Sequence, residues 1–346
     1  MNRAATIALT PLSALYGVGV RFRNSLFRRG IRRRFDVGVP VISVGNLTTG
    51  GTGKTPLVEL LASRLAAEGS RVCVLTRGYG RSSRGRVIVS DNSRVLSDVN
   101  EAGDEPFLLA ENLRGRAAVV CDKNRVAAAR WAIENLDSQI FVLDDAFQHQ
   151  QIQRAVNIVT IDATNAFGNG KLLPAGILRE SSSGIKRADC IVITRANESS
   201  GLEQLRAEIN HLAGPIPTFA SNIKLAAVRA LDRKTSAEDL TARQIPIAAF
   251  CGIGNPNSFF TLLRSERYDA VYTRTFSDHH NYTQGDIEQL VRDASARGAQ
   301  ALVTTSKDSV KLRSLTFELP CYVVDTAIQI DQAAAFFRLV NDLIQR

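Results

Sequence analysis

Gly45-Asn-Leu-Thr-Thr-Gly-Gly-Thr-Gly-Lys-Thr-Pro56 lies between an apolar, β-branched run, Val39-Pro-Val-Ile-Ser-Val44, and a segment with helical apolar spacing, Leu57-Val-Glu-Leu-Leu-Ala-Ser-Arg-Leu-Ala66. A strand, a Gly-rich turn, a Lys-Thr pair and a helix are the context of a phosphate-binding P-loop. Glycines let the backbone curl around an anion, and free N–H groups at the helix N-terminus face its charge. The nucleotide cradle is therefore expected at Thr48, Thr49, Gly50, Gly51, Thr52, Gly53, Lys54 and Thr55, with Lys54 on the β/γ-phosphates and the Thr55 hydroxyl on Mg²⁺. Thr48 replaces the Gly of the strict motif, and Thr49 replaces the signature Lys of P-loop ATPases that dimerise.

Outward from this stretch, apolar runs alternate with helical ones. Strands are expected at Arg71–Thr76, Ala117–Cys121, Ile140–Leu143, Asn157–Ile161 and Asp189–Thr194, with a short edge strand at Val87–Val89. That alternation gives a doubly wound, mostly parallel sheet in an α/β/α sandwich. Near 215–245 the composition shifts, with an extended stretch over Phe219–Leu231. From Pro246 the alternation restarts as a second, smaller α/β/α domain, ending in a helix from Asp331. The division is 1–34, an N-terminal apolar and basic segment; 35–218, the P-loop domain; 219–231, a β linker; and 232–346, the second domain.

The net charge of +9 is uneven, since Arg21, Arg23, Arg28, Arg29, Arg32, Arg33 and Arg34 crowd one stretch after the apolar Ala4–Val20. An apolar helix followed by arginines suits the cytoplasmic face of an anionic membrane, and it also suits a helix docked on the protein's own core. Ala4–Val20 is short for a spanning helix, and its charge follows the apolar run, the reverse of a signal peptide. No nucleic-acid motif accompanies the basic stretch, and nothing marks an obligate protein partner. Five scattered cysteines without a C-x-x-C pair point to reduced, buried thiols.

Several polar loops follow strand ends, where ligands sit in open α/β sheets. Arg77-Gly-Tyr79-Gly-Arg81 offers cations and a ring to an anionic or amphipathic substrate, or is a solvated turn. Asp104 and Glu105 open a helix, where they either cap it or supply a catalytic carboxylate. Asp144 and Asp145 end an apolar strand in Walker B manner and are favoured for Mg²⁺ over Asp122 and Asp162, which also end apolar runs. The Gly/Pro-broken stretch 168–180 is expected to be a functional loop. Thr194-Arg-Ala-Asn197 lacks the guanine-recognition box, which favours ATP.

Together these pieces resemble the tetraacyldisaccharide 4'-kinases of lipid A biosynthesis. The likeness rests on the 45–56 stretch, Thr76-Arg-Gly-Tyr-Gly-Arg81, Gly103-Asp-Glu-Pro106, Asp144-Asp-Ala-Phe-Gln-His149 and Leu172-Leu-Pro-Ala-Gly-Ile-Leu-Arg-Glu180. It continues through Gly252-Ile-Gly-Asn-Pro256, Phe276-Ser-Asp-His-His-Asn-Tyr282 and Ser306-Lys-Asp308, so it spans nearly the whole chain. Thr48 is normal for that family, and Ser306 departs from an acidic position. The resemblance implies a membrane-associated kinase at the bacterial inner membrane. It would move the ATP γ-phosphate to the 4'-hydroxyl of an acylated disaccharide 1-phosphate lipid, with the active site in the cleft between two domains. It implies Asp104 as the base, supported by His279, with His280 the neighbouring alternative. Lys54 and Arg125 would offset phosphate charge, and Arg77, Tyr79, Glu105, His149 and Gln150 would meet the sugar or the metal surroundings. Asp144, Asp145 and Glu180 would be the Mg²⁺ carboxylates. A membrane-associated P-loop ATPase switch acting on a protein partner is the alternative.

Overall fold

The computed structural model describes residues 8–231 and 245–346. The first residues of the N-terminal segment, and the expected start of the second domain at 232, lie outside that range. In chain order the first part holds Thr10–Arg28 (α1), Val41–Gly45 (β1), Lys54–Ala67 (α2), Val72–Thr76 (β2), Val87–Ser90 (β3), Val99–Ala102 (α3) and Asp104–Asn112 (α4). Ala117–Cys121 (β4), Arg125–Leu136 (α5), Ile140–Leu143 (β5), Val156–Asp162 (β6), Cys190–Thr194 (β7) and Leu202–Ala213 (α6) complete it. After the long Thr218–Ala230 (β8) come Ile247–Cys251 (β9), Pro256–Ser265 (α7), Ala270–Thr275 (β10) and Gln284–Ser295 (α8). Ala301–Thr305 (β11), Ser306–Leu312 (α9), Cys321–Ile330 (β12) and Ala333–Ile344 (α10) close the chain.

Among the described residues the strands form one twelve-stranded sheet in the order β10-β9-β11-β12-β8-β7-β6-β1-β5-β2-β4-β3. Two parallel blocks meet where β12 runs antiparallel to β8, from Tyr322 opposite Ala230 to Ile330 opposite Ser221. β3 is the antiparallel edge strand, paired with β4. Strands β1, β2, β4, β5, β6 and β7 are buried along their whole length, as continuous apolar runs in a doubly covered parallel sheet require. All five cysteines are buried, and none forms a disulfide among the described residues.

The P-loop is fixed from below by this packing. Leu57, Val58, Leu61, Ala62 and Leu65 of α2 are buried against the sheet face that also carries Ile42, Val44, Val74 and Val119. Strand β12 has no counterpart among the strands expected from the sequence, because its apolar residues alternate with polar ones only in its second half. That strand returns the chain to the first block. Ile328, Ile330, Phe336 and Val340 lie in the same core as Ile42 and Leu57, so the last helix belongs with the first half and not with the rest of 232–346.

The N-terminal helix is longer than the apolar stretch suggests, and it carries Arg21, Arg23 and Arg28 along it. Its core-facing positions are Ser13, Gly17 and Phe27, while Leu12, Leu15, Val18 and Phe22 are exposed. The Ser13 hydroxyl donates to the Leu172 carbonyl at 2.6 Å and accepts from the Ala175 N–H at 2.9 Å, so the helix docks on the 168–180 loop through polar contacts. No described helix is long and apolar enough to cross a membrane.

Gly45 ends β1 under the P-loop, where an added Cβ would lie 2.5 Å from the Phe147 backbone nitrogen. Backbone cannot yield as a flexible side chain can, so Gly45→Ala is expected to destabilise the protein by about 1–3 kcal/mol. Gly19→Ala, on an exposed helical face with nothing within 4 Å, is expected to stabilise it by about 0.5–1 kcal/mol. Chemical denaturation of the two variants beside the parent checks both signs.

Candidate active site

The C-terminal ends of β1, β2 and β5 face one cleft of about 1160 Å³, closed on its far side by residues 253–262, 278–279 and 305–307. Gly53 caps α2 with φ 72°, a left-handed conformation in which a Cβ would also press to 3.1 Å from Thr194. The turn is braced from neighbouring strands. The Thr52 and Thr160 hydroxyls are 2.8 Å apart, the Thr194 hydroxyl donates to the Thr52 carbonyl at 3.1 Å, and the Thr49 N–H donates to the Ile177 carbonyl at 2.8 Å. Thr49 through Thr55 line the cleft. Thr48 does not. It is buried, and its hydroxyl accepts from Asn46 at 3.4 Å, so it shapes the loop from inside.

The two Walker B carboxylates have different surroundings. Asp145 accepts both contacts from Arg179 at 2.8 Å and lies 3.6 Å from Lys54 Nζ. Burial works to raise its pKa, but Lys54 and Arg179 outweigh it and hold the carboxyl below its ordinary value. Asp144 is 3% exposed; Thr76 donates to its Oδ2 at 3.4 Å, and Oδ1 is buried without a hydrogen-bond partner. Burial, then the charges of Glu105 and Asp145, push it up to about 7 against the pull of Lys54 and Arg125. The competitors have other duties. Asp162 is locked to the Arg195 guanidinium, and Asp122 pairs with Arg86 at 3.3 Å and accepts the Asn124 N–H.

Across the cleft, the chain brings together groups 175 residues apart. His279 Nδ1 lies 3.0 Å from Asp104 Oδ2, and Lys311 Nζ lies 2.6 Å from the same oxygen. His279 has φ 59° and its ring packs 5.9 Å from that of Tyr79. Gly103, at φ 88°, lets the start of α4 approach the Tyr79 carbonyl; a Cβ there would come within 2.7 Å of it. Burial works to raise the Asp104 pKa, and the hydrogen bonds and charges of His279 and Lys311 outweigh it, so the carboxyl sits below its ordinary value. Glu105 is held by Lys307 at 3.2 Å, and Lys307 also lies 3.4 Å from Asp278 and from His279 Nε2. His280 turns away to Asp286 at 3.2 Å and stacks on Phe276, which separates the two adjacent histidines.

Arg77, Tyr79, Glu105, Arg125 and His149 line the cleft, as the sequence suggests. Arg125 is buried with its Nε unpartnered, and burial lowers its pKa. His149 is pushed down to about 4 by burial and then by Arg125, Arg154 and Arg77, so it is neutral near pH 7. Two expected residues fall elsewhere. Glu180 is 1% exposed and lines a separate cavity under α1, where Arg187 at 2.8 Å, Gln148 at 2.9 Å and Asn24 at 3.1 Å take up both its oxygens. Those partners hold the carboxylate in that cavity, outside the set of residues that line the cleft. Gln150 lines the same cavity and donates to Asn24 at 2.9 Å; Gln148 and Gln151 are the glutamines on the cleft. Sequence reading missed Arg179, Arg195, Lys307 and Lys311, isolated cations whose partners lie far along the chain.

A family model described as tetraacyldisaccharide-1-P 4'-kinase matches residues 5–345. The chain belongs to the tetraacyldisaccharide 4'-kinase family. A tetraacyldisaccharide 4'-kinase of Geobacter metallireducens is 42% identical over 316 residues, covering 90% of this chain and 90% of its own. One from Desulfotalea psychrophila is 38% identical over 315 residues, covering 90% and 89%. The crystal structure of LpxK from Aquifex aeolicus, solved in complex with ATP, matches with a TM-score of 0.77 at 30% identity, over 98% of this chain and 99% of its own. The P-loop kinase fold and ATP as co-substrate follow for this family member, and the ATPase-switch alternative is not favoured.

Asp144 gives this family member a measurable cost of holding its site ready. A carboxyl raised from 3.8 to about 7 binds more protons folded than unfolded between those values, so its contribution to stability falls as pH rises through that window. Asp144→Asn is therefore expected to stabilise the nucleotide-free protein at pH 8 by roughly 2–4 kcal/mol, with the gain fading towards pH 4. Denaturant titration of both proteins at the two pH values checks the sign; equal gains at both would remove the electrostatic explanation.

Proposed function

We propose that this protein transfers the γ-phosphate of ATP to the 4'-hydroxyl of a tetraacyl glucosamine disaccharide 1-phosphate, with Asp104 as the base. The observation that carries the residue assignment is the Asp104–His279 contact, 3.0 Å long, where His279 lines the same cleft as the P-loop and Asp104 stands directly behind it, next to the cleft-lining Glu105. Phosphoryl transfer needs positioning and charge neutralisation, plus one group to take the hydroxyl proton. Asp104 takes it as the sugar oxygen bonds to the γ-phosphorus and the bridge to ADP breaks. His279 holds the carboxylate, and Lys54 with Arg125 faces the phosphates.

A divalent cation fits the residues present. Asp144 offers a buried oxygen without a partner, and Thr55 opens α2 on the cleft, hard donors of the kind Mg²⁺ takes alongside substrate phosphates. When bound, the ion would neutralise charge on the phosphates. Asp145, engaged by Arg179 and Lys54, serves better to orient Lys54 than to ligate.

The membrane contact is read from α1. Leu12, Leu15, Val18 and Phe22 face outward beside a run of arginines, the arrangement of a helix lying in an anionic interface. The enzyme would then work at the cytoplasmic face of the inner membrane, where an acylated substrate is presented. The two blocks of the sheet would act as lobes, with β8 as the strand between them.

Two experiments test this reading. Label from γ-labelled ATP is expected in tetraacyl disaccharide 1-phosphate in detergent with Mg²⁺. Asp104→Ala and His279→Ala are expected to lose at least about 100-fold in turnover while still binding ATP; label released only as free phosphate would contradict the acceptor. Leu15→Glu combined with Phe22→Glu, at positions 71% and 65% exposed, is expected to move the protein from the membrane pellet to the supernatant without unfolding it. Unchanged sedimentation would refute the anchoring role.

A further inference from the structure

Asp104 has two partners, and both reach the same oxygen. His279 Nδ1 and Lys311 Nζ lie 3.0 and 2.6 Å from Oδ2. Among the described residues the side-chain hydrogen bond and the short ammonium contact both fall on Oδ2, and Oδ1 is not one of the buried oxygens left without a partner. Lys311 also donates to the His280 carbonyl at 3.1 Å, so one ammonium ties α9 both to Asp104 and to the loop carrying His279. Its side chain is 10% exposed, and Asp104 is its carboxylate partner. The neighbouring cation, Lys307, is spent on Glu105 and Asp278.

We propose that Lys311 is a positioning residue for phosphoryl transfer: with His279 it pins Asp104 Oδ2, so that Oδ1 is the oxygen offered to the sugar hydroxyl, and it completes the base only when α9 is seated on α4. The inference rests on Asp104 being the base. The charged groups around that carboxylate are Glu105 from α4, Asp278 and His279 from the loop after β10, and Lys307 and Lys311 from α9. Of these, Lys311 supplies the nearest positive charge. A carboxylate that must be ionised to accept a proton works down to lower pH when a cation is held against it.

The test is the pH dependence of kcat and kcat/KM for the full chain with ATP and detergent-dispersed lipid acceptor. Lys311→Met is expected to lower kcat by about 10–100-fold, leave KM for ATP within about threefold, and move the acidic limb of the profile upward by about one pH unit or more. Lys311→Arg, which restores the charge, is expected to return the limb to its parental position. Arg313→Met serves as the control, because Arg313 reaches the α4 residue Glu111 and not Asp104; it breaks a neighbouring lobe contact and should leave the limb unmoved. Binding of a non-hydrolysable ATP analogue reports folding of each variant. An unshifted limb in Lys311→Met, failure of the Arg variant to restore it, or an equal shift in Arg313→Met would overturn the proposal. Asp104→Asn separates the two levels. If it still turns over, the reading of the base fails. If it is inactive while Lys311→Met keeps the parental limb, only the role of Lys311 fails.

Discussion

The antiparallel pairing of β8 with β12 is the constraint on which the cleft depends. Apart from the antiparallel edge strand β3, each block of the sheet is internally parallel. Pairing from residue 221 to 230 on one strand and from 322 to 330 on the other fuses them into a single sheet, and α10 then returns to the first block's core. The strand ends of both blocks consequently look into one space. Without that register, Asp104 and His279, far apart in sequence, would have no reason to meet. Further contacts hold the seam, including Arg313 against the Glu111 carboxylate and over the Phe107 ring at 5.5 Å.

Electrostatics within the cleft is the second level. Asp104, Glu105, Asp144 and Asp145 crowd a partly dry space, where like charges are expensive. Three of them have cations assigned by geometry: Lys311 for Asp104, Lys307 for Glu105, and Lys54 with Arg179 for Asp145. Of the four, Asp144 has no ion-pair partner, its Oδ1 is buried without a hydrogen bond, and its carboxyl is the one pushed up to about 7. The imbalance is local and directional. It leaves one acidic position unsatisfied where a divalent ion and a triphosphate would bring compensating charge. Stability is given up there so that the site is already arranged before its ligands arrive.

What the sequence revealed, and what it hid, divides along the same line. The P-loop, the strand ends and the Walker B pair are local patterns: a contiguous stretch sets both the conformation and the chemistry, so Gly53, Lys54 and Asp144 could be read directly. The role of Asp104 could not be read from spacing, because a carboxylate at N1 of a helix is equally a cap; only the arrival of His279 and Lys311 distinguishes the two. Glu180 and Gln150 misled for the converse reason. Each sits in a polar loop beside residues that line the cleft, yet Asn24, from a helix 156 positions before Glu180 and 126 before Gln150, bonds both in a different cavity. Strand β12 was missed because its second half alternates and its first half does not, a pattern explained only by the two different layers it crosses.

The N-terminal helix extends this argument to the surface. A helix that docked for stability alone would bury its large apolar side chains and expose its small polar ones. Here Ser13 and Gly17 face the protein along with Phe27, an added Cβ at Gly17 would meet Leu172 at 2.7 Å, and Leu12 and Leu15 face out. Close approach through small residues gives the helix a fixed seat on the 172–180 loop, and Tyr16 donates to the Arg179 carbonyl at 2.8 Å. Arg179 in turn grips Asp145 beside Lys54. The outward apolar face is thus joined to the phosphate-binding end of the cleft by a short chain of hydrogen bonds.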